Sequence, residues 1–242
     1  MAYAFWAYLF WGFFPIYWKA LDHIPSSQIF AHRVIWSAFC FVCYIYLKKI
    51  KLIPRPLTGK EWFTLGICAT LIGSNWWVYL VAVNTNHILD ASLGYFISPL
   101  ISATIGSLIL KERLDWKLKV AVLLAFLGVS NMAYQARVVP ISGLYLAFSF
   151  SIYAWLRKKF NYEPLAATTL EALVMTPFAL AGLMYFLYSS QPPQGFGFYS
   201  LKDGLLLVLG GVVTGLPLWL FNEAGKRLPL SILGMFQYIS PT

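Results

Sequence analysis

The sequence predicts an all-α fold, a polytopic bundle of transmembrane helices built as two inverted repeats. Three observations carry that prediction. Of the 242 residues, 60% are hydrophobic and only 11% charged, whereas a soluble domain carries roughly a quarter charged residues. The apolar residues run in stretches of about 20, the length that crosses a bilayer as a helix. The Lys and Arg residues fall in short runs between those stretches, as topology signals do. A soluble fold of this size would lack the polar groups needed to cover its surface.

In chain order the stretches are 3–20, 27–47, 61–83, 90–110, 117–135, 142–157, 165–188 and 204–222. A ninth begins near 228 and is still apolar at Thr242, so the chain reads as ten helices cut short by one and a half. The sixth stretch is the shortest. The first starts almost at once with Tyr3-Ala4-Phe5-Trp6, without a basic start or a small-residue cleavage site. It therefore reads as a retained helix and not as a signal peptide.

Charge tests the count. The links after the second, fourth, sixth and eighth stretches hold fourteen basic residues. They are Lys48, Lys49, Lys51, Arg55 and Lys60; Lys111, Arg113, Lys117 and Lys119; Arg157, Lys158 and Lys159; and Lys226 and Arg227. The alternate links hold three, Lys19, Arg137 and Lys202. One missed helix would scramble this alternation. It predicts a cytoplasmic N-terminus. The same distribution excludes nucleic acid as the partner of the +9 net charge, because such binders gather Lys and Arg on one face.

The chain also repeats itself. At an offset of 142, Gly73 falls on Gly215, Trp77 on Trp219, Tyr79 on Phe221 and Ala82 on Ala224. At the same offset Phe96-Ile97-Ser98-Pro99 falls on Tyr238-Ile239-Ser240-Pro241. A repeat of five helices is an odd number, so the second copy enters the membrane from the opposite side, the build of many secondary transporters. The two copies are residues 1–137 and 138–242.

Ionisable groups at membrane depth are costly and mark function. Arg33, beside His32 and Trp36, lies within the second stretch, and Glu171 lies within the seventh. They stand in equivalent places of the two copies and are expected to face one hollow. There Arg33 would bind a carboxylate and Glu171 would take up a coupling proton, with Glu171→Gln removing pH dependence and leaving the fold intact. The bland alternative is a pair of snorkelling or mutually neutralising charges. Asn75 and Tyr79 share a helix face at i, i+4, with Trp76 adjoining. Trp219 lies beside the positions that align with them, Pro217 and Phe221, and Pro217 is expected to break its helix where backbone lines a cavity. Tyr95 and Ser98, with Tyr238 and Ser240, are expected along the path, although interfacial anchoring explains Trp and Tyr equally well. Gly94, Ser98, Ser102 and Gly106 form a small-x-x-x-small line for close helix approach. Pro99 and its repeat mate Pro241 read as hinges. Asp90 reads as an N-cap.

Other chemistries find little support. No Walker A, Gly-x-Ser-x-Gly, His-Glu-x-x-His or dinucleotide motif is present, and no cofactor or metal is expected. Cys40 and Cys43, one helical turn apart, leave a membrane redox enzyme as one alternative, and a non-transporting membrane scaffold is another. His23 and His87 fall in loops and read as solvated.

Several blocks are familiar. His32-Arg33-Val34-Ile35-Trp36-Ser37, Asn75-Trp76, Ala91 through Leu100, Lys111-Glu112-Arg113, Ala147-Phe148-Ser149-Phe150 with Arg157-Lys158-Lys159, and Phe236 through Thr242 resemble RarD-type members of the EamA family. That family belongs to the drug/metabolite transporter superfamily. The resemblance implies ten helices in two inverted halves, cytoplasmic termini, a cavity between helices one to four and six to nine, and peripheral fifth and tenth helices. It also implies export of amino acids or other small metabolites, with a link to chloramphenicol sensitivity. The expected function is a secondary transporter of small metabolites or amphipathic drugs, working by alternating access in a bacterial inner membrane. Its partners would be a small-molecule substrate and the lipid bilayer, and a homodimer stays open.

Overall fold

The computed structural model describes residues 1–53, 55–85, 88–136, 140–160, 162–189 and 200–240. The regular structure among them is helical: α1 (Ala2–Gly12), α2 (Phe14–Lys19), α3 (Ser26–Leu47), α4 (Gly59–Asn84), α5 (Ile88–Leu108), α6 (Trp116–Ala136), α7 (Ile141–Phe160), α8 (Pro164–Ser189), α9 (Leu201–Arg227) and α10 (Leu230–Met235). α10 runs on into a 3-10 turn over Phe236–Ile239. By length and composition α3, α4, α5, α8 and α9 can each cross a membrane.

Each stretch read from the sequence coincides with helix, and the departures have local causes. The first stretch is two helices joined at Phe13, because Pro15 near the start of α2 has no N–H to give and crowds the turn before it. The sixth is longer than expected, twenty residues from Ile141 to Phe160. Asp90 is not an N-cap but lies in the first turn of α5, where a carboxylate still suits the helix dipole. Pro217 does not break α9, which is continuous from Leu201 to Arg227. One lost hydrogen bond is tolerated inside a helix whose neighbours hold it in place. Thr58 and Glu61 form a capping box at the start of α4, and Glu61 also binds Arg55, which holds the guanidinium above its ordinary pKa.

α3 packs on α8 and α9, α4 on α7 and α8, α1 on α9, and α5 on α7 and α10. α6 packs on α5 and leaves Val120, Leu123, Leu124, Phe126 and Leu127 exposed, a face suited to lipid. Small residues set the closest crossings. A Cβ on Gly94 would stand 2.4 Å from the Gly143 carbonyl oxygen, and one on Gly211 would stand 2.4 Å from the Trp36 carbonyl carbon. Further along α5, the Ser98 and Ser102 hydroxyls each lie 3.2 Å from that of Ser151 on α7. Gly106 lies against Ser231 at the start of α10. Pro241 and His87 fall outside the described residues.

Candidate functional site

The Gly211 crossing builds the first cluster. Because α9 meets α3 without a side chain between them, Ser37 donates to the Gly211 carbonyl at 2.8 Å. Thr214, one turn further along the same face, reaches Arg33, whose Nε donates to its Oγ1 at 3.2 Å. Arg33 is only 2% exposed. Its guanidinium carbon lies 4.9 Å from the ring centroid of Trp18 and 4.6 Å from that of Trp76, so indole faces stand in for part of the missing water. Tyr79 and Tyr95 lie within its electrostatic reach, their rings edge-to-face at 5.9 Å. Arg33 Nη1 and Trp18 Nε1, both buried, find no hydrogen-bond partner among the described residues.

The other candidates divide. Trp36 Nε1 donates to His32 Nδ1 at 3.1 Å, within one helix. Asn75 ties α4 to α7, donating to the Leu146 carbonyl at 3.0 Å and to Ser149 Oγ at 2.9 Å. Ser98 faces Ser151, and the Tyr238 hydroxyl donates to the Phe96 carbonyl at 3.1 Å. Trp219 belongs elsewhere: with Ser37, Cys40, Phe41, Gly211 and Gly215 it lines a groove of about 190 Å³ between α3 and α9. Cys40 and Cys43 are free thiols, both half-buried.

Glu171 builds the second cluster. It is 1% exposed, accepts from the Tyr153 hydroxyl at 3.0 Å, and lies 3.4 Å from Arg157 Nε. Asn222 of α9 donates to Tyr153 Oη at 2.8 Å and to Thr168 Oγ1 at 2.9 Å. Three helices are thereby joined through five polar side chains. Nearby, Lys158 donates to the Gly225 and Leu228 carbonyls at the end of α9. Glu112 accepts from the backbone N–H of Leu230 and Ser231 and from the Ser231 hydroxyl.

Two expectations are corrected here. Arg33 and Glu171 do not face one hollow. Arg33 sits near the start of α3 with Trp18. Glu171 belongs to a separate cluster with Tyr153 and Arg157, one turn before Met175, which meets Gly73 of α4. Inversion is the reason, since equal depths from the starts of oppositely directed helices fall on opposite sides of the middle. Arg157, counted above as a loop charge, is 8% exposed and is the partner of Glu171. Sequence reasoning also passed over Trp18, Thr214, Tyr153 and Asn222, and gave Glu112 no role. A polar run such as Arg157-Lys158-Lys159 at a helix end gives no sign of which member turns inward.

Comparison with known proteins places this arrangement. The model of the EamA-like transporter family matches residues 1–134. A Bacillus subtilis (strain 168) protein described as uncharacterized transporter YojE is 42% identical over 242 residues, 98% of this chain and 80% of its own. Protein RarD of Escherichia coli (strain K12) is 40% identical over 243 residues, again 98% and 80%. A Pseudomonas aeruginosa protein described as chloramphenicol-sensitive protein RarD is 26% identical, over 94% of this chain and 77% of its own. One solved crystal structure superposes with a TM-score of 0.74 over 99% of this chain and 84% of that chain; at 16% identity it shows the fold alone. The chain belongs to the EamA-like transporter family as a RarD-type member, and is a multi-pass membrane transporter.

Proposed function

We propose that the protein is a secondary transporter that carries small metabolites across a bacterial inner membrane by alternating access, with its N-terminus in the cytoplasm and residues 1–137 and 138–242 as inverted halves. One observation carries the reading. Phe96 and Tyr238, equivalent at the offset of 142, touch each other, with ring centroids 6.2 Å apart. Equivalent residues in mutual contact lie on the axis that relates their halves. The helix contacts support the same axis. Exchanging the halves turns α1 on α9 into α7 on α4, and α3 on α9 into α8 on α4, and all four are present. It also turns the Gly73–Met175 approach into that of Gly215 with Ser37.

Alternating access requires contacts that close each end in turn. At one end Tyr17 donates to the Leu206 carbonyl, and His23 Nε2 lies 3.3 Å from Asp203 Oδ2. At the other, Lys158 and Glu112 hold the end of α9 and the start of α10. Protonation of Glu171 would release Arg157 and couple a proton to the second set. In proteoliposomes, a disulfide between Cys residues placed at His23 and Asp203 should stop solute flux, and reduction should restore it. Flux indifferent to that bridge would remove alternating access.

A further inference from the structure

Arg33 and Arg157 are both buried, yet among the described residues only Arg157 has a carboxylate partner, Glu171. The ion pairs among the described residues join His23, Arg55, Arg157 and Arg227 to carboxylates, and Arg33 is in none of them. A buried charge without a counter-charge is costly, and indole faces offset only part of that cost. Arg33 directs Nε at Thr214, while its Nη1 and the Nε1 of Trp18, over whose ring the guanidinium lies, find no partner among the described residues in a setting that water scarcely reaches. An unpartnered guanidinium N–H and an unpartnered indole N–H on two side chains in contact suit a carboxylate, whose two oxygens can each accept one. Among the described residues no carboxylate pairs with Arg33: Glu171 is held by Arg157 and Asp203 lies against His23, so no acid stands beside it to neutralise an ammonium group.

Building on the transporter reading, we propose that the solute is an apolar organic acid in its monoanionic form. Its carboxylate binds the free Nη1 of Arg33 and the Trp18 N–H, and its body lies against Trp76, Tyr79 and Tyr95. A single cation selects one carboxylate over a dianion, and the missing acid disfavours zwitterions.

The test uses 3-phenylpropionate, its neutral amide 3-phenylpropanamide and its zwitterionic analogue L-phenylalanine, with the full chain in lipid nanodiscs and tryptophan fluorescence as readout. The acid should bind at least about tenfold more tightly than either analogue, the discrimination that a hydrogen-bonded charge confers. Arg33→Gln should abolish the preference for acid over amide. Trp18→Phe, which keeps an aromatic face and removes the N–H with its five-membered ring, should weaken the acid severalfold and leave the amide, which is subject to the same loss of ring, far less affected. This second variant decides the matter should Arg33→Gln fail to fold. Equal affinity for acid and amide, tighter binding of L-phenylalanine, or an acid affinity unchanged in Trp18→Phe would overturn the proposal. Flux in proteoliposomes separates the two readings. Movement of neutral solutes without acid preference sinks this inference and spares the transporter, whereas Arg33-dependent acid binding without flux of any solute supports the site and sinks transport.

Discussion

Glu171 and Arg157 show what a single residue decides in a bilayer. Each is the other's counter-charge, and removing one partner of a buried pair typically costs about 3–5 kcal/mol. Glu171→Gln should therefore lower stability, contrary to the sequence-based expectation that the fold stays intact. Arg157→Gln should do the same, and the double variant should lose less than the sum of the two. Thermal unfolding in detergent measures this, and strict additivity would mean that the two groups do not interact. The pH profile of transport is then best compared between Glu171→Gln and the double variant. Loss of pH dependence in both marks Glu171 as the proton site; an unchanged profile removes it from that role.

At the scale of helices, glycine positions divide by what faces them. Gly94 and Gly211 each meet another backbone too closely for a Cβ, whereas Gly128 and Gly182 have nothing within 4 Å of one. Gly94→Ala and Gly211→Ala should cost about 1–3 kcal/mol through forced separation of packed helices. Gly128→Ala and Gly182→Ala should be neutral or stabilising by up to about 1 kcal/mol, from helix propensity. Unfolding midpoints check the contrast, and equal effects at all four sites would refute the crossings. Glu112 gives a second case. Glu112→Ala strips the start of α10 of its acceptor, so amide exchange over Leu230–Met235 should accelerate while that of α3 stays unchanged.

For the whole molecule, topology is the property to test. With Cys40, Cys43 and Cys68 replaced by serine, single cysteines at Lys51 and Lys117 should react with an impermeant thiol reagent from one face of oriented vesicles. A cysteine at Lys202 should react from the other. Labelling of all three from one face would contradict the inverted halves.

The sequence by itself marked the apolar stretches that form helices, to within a few residues at most of their ends, and the spacing at which residues recur. Those properties follow from segment length, charge alternation and residue spacing, all written along the chain. It also marked Arg33, Glu171 and the line from Gly94 to Gly106 as unusual. Only the tertiary structure decided that Arg33 meets Trp18 and Thr214, that Glu171 meets Arg157, and that the two form separate clusters. The reason is the solvent. A helix in water shows its buried face by an apolar stripe, but here lipid on one side and protein on the other are both apolar, so the sequence pattern carries little record of which face turns inward.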